Sequence, residues 1–146
     1  KYINDIAGIR IICSFTSEIY RIAYMIRDQR DIKVIAVKDY ITYPKASGYK
    51  SYHMIVSIPV YLSDRTVDTK VEVQIRTVAM DFWASLEHKI HYKFEGDAPE
   101  NIKNELVECA RMVSDLDARM LSLNEEILAI SKKREEEKQL NSGTSK

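Results

Sequence analysis

The segment Val71-Glu72-Val73-Gln74-Ile75-Arg76 constrains this chain more than any other. Its period-two alternation predicts a β-strand, in which successive side chains point to opposite faces. Val71, Val73 and Ile75 share one face, and Glu72, Gln74 and Arg76 share the other. A sheet covered by helices on both sides has two apolar faces. Three large polar groups in a row therefore leave two readings, a face turned to solvent or the floor of a cleft.

The residues around this strand fill out a mixed α/β body. Ile9 to Phe15 is β-branched and apolar and predicts a buried strand. Ser17 is placed to cap a helix whose face is Ile19, Ile22, Ala23 and Ile26, three and four apart. Ile32 to Val37 alternates as a second strand, and residues 41–51, with Pro44, Ser47 and Gly48, form a loop. His53 to Tyr61 is a third strand, with Pro59 pointing to an edge or a strand end. A polar connection, Ser63 to Asp68, leads into the strand Lys70 to Arg76. Thr77 starts a helix that runs to about Tyr92, and Gly96 and Pro99 break it. Glu100 to about Lys133 is a longer helix with a broad apolar stripe, Leu106, Cys109, Ala110, Met112, Val113, Leu116, Met120, Leu121, Leu123 and Ile127. That stripe fits either self-association or packing on the sheet.

This organisation gives three units: a body over 1–96, a helix over 97–134, and a charged, then small and polar tail over 135–146 that is expected to be disordered. Residues 1–96 carry 14 basic and 11 acidic side chains, and 97–146 carry 8 and 11. With 22 of each sign overall the net charge is zero. That argues against a whole-surface basic field of the kind that holds DNA non-specifically, and leaves room for a local basic pocket. No run of about 18 apolar residues is present, so no membrane span is expected, and the first residues do not read as a signal peptide. Two cysteines, Cys13 and Cys109, are too few for a disulfide framework and lack metal-ligand spacing. Cys13 reads as a core thiol, and a cytoplasmic location fits.

Two further features bear on chemistry. Asp5 lies just before the first strand. An acidic pair on neighbouring strands can hold Mg²⁺ in a phosphoryl or nucleotidyl transferase, because that ion takes one or two protein carboxylates plus phosphate oxygens. Asp5 with Glu72 is such a pair, with a strand end-cap as the plain alternative for Asp5. The segment 38–53 holds three lysines, four tyrosines and one histidine around Pro44 and Gly48. Lysines offer point charges to phosphates and tyrosine rings offer stacking faces to bases; a surface loop with aromatic anchors is the alternative.

The motifs Asp5-Ile6-Ala7-Gly8-Ile9-Arg10, Lys38-Asp39-Tyr40-Ile41, Pro44-Lys45, Gly48-Tyr49-Lys50-Ser51, His53, Glu72-Val73-Gln74-Ile75-Arg76-Thr77 and Ala79-Met80-Asp81-Phe82-Trp83-Ala84-Ser85-Leu86-Glu87-His88 occur in that order. Over roughly residues 3–95 the chain resembles the synthetase domain of the RelA/SpoT family, in particular the bacterial small alarmone synthetases. The resemblance implies a nucleotidyltransferase-like synthetase fold of class α/β (α+β), with a mixed sheet of about four to five strands flanked by helices and a long C-terminal helical extension. It implies a GTP pyrophosphokinase, which moves the β- and γ-phosphates of ATP to the ribose 3′-OH of GDP or GTP and leaves AMP.

By the same resemblance Asp5 is the Mg²⁺ ligand, and Glu72 is the second carboxylate and the base for the 3′-OH. Arg10 stacks on the adenine of ATP. Tyr49 stacks on guanine, with the missing side chain of Gly48 letting the base approach. Lys45 and His53 contact acceptor phosphates, while Gln74, Glu87 and His88 line the same region. Trp83 is expected to fill core and His91 to lie on the surface. The partners implied are ATP, GDP or GTP and further copies of the chain, a tetramer by analogy, with no membrane and no DNA. RNA enters only through the alternative reading, a non-catalytic guanine-nucleotide- or RNA-binding module on the same fold. The family's domain begins earlier, with a helix and basic residues that clamp ATP, whereas Lys1 stands just before the first motif here, so that part of the donor site is expected to be missing. Tyr52 replaces the more usual leucine before the histidine. No His-Asp dyad of the hydrolase domain occurs, so alarmone degradation is not expected.

Overall fold

The computed structural model describes residues 7–143. Its elements are β1 (Ala7–Cys13), α1 (Thr16–Arg27), β2 (Lys33–Asp39), β3 (Tyr52–Tyr61), β4 (Thr66–Thr77), α2 (Val78–Lys93) and α3 (Glu100–Gly143). The four strands form one mixed sheet in the order β1-β4-β3-β2. β1 runs parallel to β4, while β3 is antiparallel to both β4 and β2. The fold is α+β, a mixed sheet with helices on the apolar side of β4.

One face of the sheet carries the core. Val71, Val73 and Ile75 of β4 and Met54 and Val56 of β3 pack with Ile19 and Ala23 of α1 and Met80 of α2. A second cluster joins Trp83 and Ala84 of α2 to Leu106 and Ala110 of α3. Trp83 is buried, and its indole N–H donates to the Leu106 carbonyl at 2.8 Å, so it fills core as expected. Cys13 also packs against the core. Burial, with Glu18 and Asp117 nearby, pushes its thiol up to about 11, so it is a thiol and not a thiolate at neutral pH.

Thr77 caps α2, its hydroxyl accepting from Met80 N. The same hydroxyl donates to Asp117 Oδ2 of α3 at 2.8 Å, which locks α3 across the start of α2. Asp117 is itself 5% exposed, and burial raises its carboxyl above the ordinary range.

Five expectations need correction. The strand expected to be buried over Ile9 to Phe15 is β1, which ends at Cys13 and lies at the sheet edge with most of its residues exposed among the described residues. Ser17 lies inside α1, whose N-cap is Phe15. The start of α1 is held by Glu18, which reaches back to accept from Ser14 N at 2.9 Å and Phe15 N at 3.1 Å; a long carboxylate does the work expected of a short hydroxyl. β4 begins at Thr66, within the stretch expected to be a connection, because the β3–β4 ladder continues to the pair Tyr61–Thr66. Lys38 and Asp39 end β2, and the loop begins at Tyr40. Finally, the tail expected to be loose from 135 is helical to Gly143. Residues 132–139 are Lys, Arg, Glu and Gln, all good helix formers, with opposite charges four apart at Lys132/Glu136 and Lys133/Glu137.

α3 spans 44 residues, about 66 Å at 1.5 Å per residue. Its first half packs on the body, whereas every described residue from Glu125 to Ser142 is exposed. Leu116, Met120, Leu123, Ile127 and Ile130 are exposed at alternating four- and three-residue spacing. No helix among the described residues is long and apolar enough to cross a membrane.

Candidate active site

The second face of the sheet is open, and its register places the predicted polar residues side by side. Arg10 of β1 pairs with Gln74 of β4, Gln74 with His53 of β3, and His53 with Lys38 of β2. The next rung is Gly8, Glu72 and Ile55. Partners in a ladder point to the same face, so four strands present one continuous polar row beside Glu72. A Cβ built on Gly8 would meet nothing within 4 Å. Among the described residues the space opposite Glu72 is therefore open.

The loop 40–51 closes one end of this face. Asp39 holds its start, with Oδ1 accepting from Ile41 N at 2.9 Å and Thr42 N at 3.0 Å, and Oδ2 from the hydroxyls of Thr42 at 2.8 Å and Tyr20 at 3.0 Å. Burial acts against the charged form, but these hydrogen bonds prevail and hold the Asp39 carboxyl below its ordinary range. Gly48 has φ +94°, and a Cβ there would come 2.5 Å from Ala110 Cβ. This corrects the expectation that Gly48 makes room for a base. The glycine is required by its positive φ and by the close seating of the loop on α3.

Tyr49 then enters a hydrogen-bonded cluster. Its hydroxyl accepts from Arg76 Nη2 at 2.9 Å and meets His53 Nε2 at 2.8 Å. Arg76 Nη2 also donates to Gln74 Oε1 at 2.6 Å, and Gln74 Nε2 donates to Glu72 Oε1 at 3.2 Å. Arg76 Nη1 pairs with Asp81 Oδ1 at 3.1 Å, and Arg10 Nη1 approaches the same oxygen at 3.5 Å. His53 Nδ1 lies 3.6 Å from Glu72 Oε1. Burial, followed by the Arg76, Lys45 and Lys38 charges, lowers the His53 pKa against the pull of Glu72. The ring is thus neutral at pH 7, and its contact with Glu72 is not an ion pair there. Lys45 Nζ sits over the rings of Tyr40 at 4.9 Å and Tyr49 at 5.0 Å, as a cation–π pair does.

Three small clefts surround this cluster. One of about 220 Å³ is lined by Gly8, Ile9, Arg10, Glu72 and Gln74. Another of about 160 Å³ is lined by Ala36, Lys38, His53, Ile55 and Glu72. The third, of about 380 Å³, has Arg10, Tyr49, Arg76, Glu87, His88 and Lys89 among its walls. A further hollow of about 390 Å³ lies between α2 and α3 around Ile90, His91 and Leu106. None of its walls belongs to the hydrogen-bonded cluster, so the candidate site is the open face.

The structure brings together Arg10, Lys45, Tyr49, His53, Glu72 and Gln74. Glu87 and His88 line the cleft beside Arg10 without joining the hydrogen bonds of the cluster. Asp5 lies outside the described residues. His91 is exposed, as expected. Arg76 and Asp81 were not among the predicted site residues. Arg76 could have been found from its place after Glu72 and Gln74 on the polar side of β4, whereas Asp81 stands in the motif 79–88 with nothing there to mark it as a partner of Arg76 and Arg10.

Among the described residues no group of three or more His, Cys, Asp or Glu side chains could hold a metal. Glu72 does fit a share in a magnesium site. Its carboxylate is partly exposed, Oε2 has no hydrogen-bond partner among the described residues, and the space towards Gly8 is open. Mg²⁺ needs no more than one or two protein carboxylates when phosphates supply the rest.

Comparison with known proteins agrees with this geometry. The family model described as "Region found in RelA / SpoT proteins" matches residues 1–97. The chain is 49% identical over 127 residues to GTP pyrophosphokinase YwaC of Bacillus subtilis (strain 168), covering 87% of this chain and 60% of that protein. Its fold is similar to that of small alarmone synthetase 2 from Bacillus subtilis, with a TM-score of 0.82 and 50% identity over 86% of this chain and 68% of that one. It is also similar to small alarmone synthetase 1 from Bacillus subtilis, solved bound to its product pppGpp, with a TM-score of 0.79 and 38% identity over 82% of this chain and 62% of that one. The chain thus spans about 60% of the length of the curated relative it matches. The match takes in the whole sheet and α2, including Arg10, Lys45, Tyr49, His53, Glu72 and Gln74, and the chain belongs to the RelA/SpoT family.

Proposed function

We propose that this protein is a (p)ppGpp synthetase that transfers pyrophosphate from ATP to the ribose 3′-OH of GDP or GTP, giving AMP and the guanosine product. The observation that carries this reading is the convergence of Glu72, Gln74, His53, Tyr49 and Arg10 on the open face. It is supported by a relative named as a GTP pyrophosphokinase and a similar structure bound to pppGpp.

Glu72 is the base that takes the 3′-OH proton, since an alcohol is a poor nucleophile until deprotonated. Its Oε1 is held by Gln74, and Oε2 is left for the proton. Tyr49 and Lys45 receive the guanine nucleotide, Tyr49 by its ring and Lys45 by its charge. His53, with Gln74, Glu87 and His88, lines the acceptor side, and Arg10 offers a flat guanidinium to adenine. Asp5 and Glu72 are the magnesium ligands, and the bound ion supplies charge neutralisation to the phosphates. The exposed apolar positions of α3, spaced four and three apart, support a homo-oligomer through helix pairing, a tetramer by analogy with the short family members. We place the protein in the cytoplasm, where its nucleotide substrates are.

The test is incubation of the protein with γ-labelled ATP and GDP or GTP, with Mg²⁺. Label should appear in a 3′-pyrophosphorylated guanosine with one AMP released per transfer. Guanine-nucleotide binding without any transfer would favour the non-catalytic module instead.

A further inference from the structure

Arg76 is an expensive residue to keep where it is. Its side chain is 5% exposed, and a guanidinium out of water is stabilising only when its partners are well placed. It faces the single carboxylate of Asp81, and its Nε is buried without a hydrogen-bond partner. The fork nonetheless makes three contacts at its tips, and two of these lead onward to the same atom. Through Gln74, Arg76 Nη2 fixes the side-chain amide so that its N–H donates to Glu72 Oε1. Through the Tyr49 hydroxyl, the same nitrogen holds His53, whose other ring nitrogen faces Glu72 Oε1.

We propose that Arg76 is the positioning residue for Glu72, acting through two arms, Gln74, which hydrogen-bonds Oε1, and Tyr49–His53, which sets the imidazole against the same oxygen, so that Oε2 alone is presented to the reacting groups. This rests on the reading of Glu72 given above. Asp81 extends the same anchor to the donor side, because its Oδ1 is shared by Arg76 and Arg10. The planar fork keeps Nη1 on Asp81 while Nη2 holds both arms. A lysine at 76 would keep the charge but offers one point, which cannot serve Asp81 and both arms at a fixed separation.

The test is Arg76→Lys, with steady-state kinetics, guanine-nucleotide affinity by calorimetry, melting temperature, and the His53 ring signals by NMR. The expected result is a folded protein whose kcat falls tenfold or more while affinity for GDP changes less than threefold, with the His53 signals displaced. Tyr49→Phe and Gln74→Met cut one arm each and leave the buried charge in place. Each should lower kcat, and the double variant should approach Arg76→Lys. If Arg76→Lys does not fold, these two carry the test by themselves. An unchanged kcat in Arg76→Lys, or in both single-arm variants, overturns the proposal. So does a loss in which kcat, affinity and melting temperature fall together, which is the mark of a merely structural residue. A parent protein that binds both ATP and the guanine nucleotide with Mg²⁺ yet makes no pyrophosphorylated product overturns the reading of Glu72 as the base. Displacement of the His53 signals by Arg76→Lys would still show the anchor in that case, so the two failures are separable.

Discussion

On one side of β4, Val71, Val73 and Ile75 are sealed under α1 and α2. On the other side Glu72 and Gln74 stay partly open and are tied to each other, to Arg76 and to residues from other elements. The backbone is shared, and the sequence separation between the two sets is one residue. The closed face lowers free energy by removing apolar surface from water, a non-directional gain. The open face spends its interactions on direction: each polar atom is held by a neighbour that limits where it can point. Stability and chemistry are therefore set by alternate residues of one strand, and substitutions on the two faces should separate cleanly.

The largest separation is expected at Glu72. Glu72→Gln keeps the shape and an oxygen for Gln74 but loses the base, and turnover should fall by about 10²–10⁴. Its unfolding free energy should change by no more than about 0.5 kcal/mol, as for a surface substitution. Rapid-quench or steady-state transfer from labelled ATP, with urea unfolding alongside, measures both. Near-normal turnover would remove Glu72 from the mechanism and break the division of the faces.

The mirror experiment is Ile75→Ala. Ile75 is fully buried between the Glu72–Arg76 polar positions, and truncation to alanine in a packed core costs about 2–5 kcal/mol. Urea unfolding should show that loss. A cost below about 1 kcal/mol would mean that the apolar face is not what holds the sheet.

Tyr49 sharpens the comparison, because it serves affinity with its ring and direction with its hydroxyl. Tyr49→Ala should weaken guanine-nucleotide binding by about tenfold to a hundredfold, the roughly 1–3 kcal/mol of one stacked base. Tyr49→Phe should keep most of that affinity and lose turnover, since the hydroxyl contacts to Arg76 and His53 go. Calorimetry and kinetics on both variants decide it. Equal losses of affinity would put the hydroxyl, not the ring, in contact with the nucleotide.

The two faces also differ in how far the sequence reveals them. The alternation of residues 71–76 is local, so both faces of β4 could be read directly. So could the cap of α2 at Thr77 and the burial of Trp83. The family motifs then carried Arg10, Tyr49, His53 and Glu72 to one site. What could not be read depends on contacts between distant residues. The alternation puts Arg76 on the polar face, but the partners that it and Asp81 bridge, from Arg10 to Tyr49, are announced by no spacing. Gly48 looked like room for a ligand until Ala110 was found against it. Ser17 and Glu18 both have the chemistry to hold the start of α1, and only the backbone path selects Glu18. The length of α3 was underestimated because a charged stretch with few apolar residues resembles a solvated tail as much as an exposed helix.

Asp117 belongs to the closed side of the molecule although it is a carboxylate, and its pH behaviour should show that. Its ordinary value is 3.8, and burial raises it in the fold against the opposing Thr77 hydrogen bond and Lys50 charge. Between 3.8 and the raised value the folded chain holds a proton that the unfolded chain has lost. In that window stability falls as pH rises, and above it the cost is complete. His53 runs the other way: its value is lowered from 6.5, mainly by burial. Protonation then favours the unfolded chain, and stability falls as pH drops through 6.5 towards the lowered value. Asp117→Asn removes the first contribution alone. The variant should therefore gain stability relative to the parent as pH is raised from about 4 to 7, by the smallest margin of these predictions, because Thr77 and Lys50 offset part of the burial cost. Urea unfolding of both proteins at pH 4.5 and pH 7 measures it. A relative stability that falls over that range would mean that the fold favours the charged carboxylate, and Asp117 would then behave like the directed groups of the open face instead of the core it sits in.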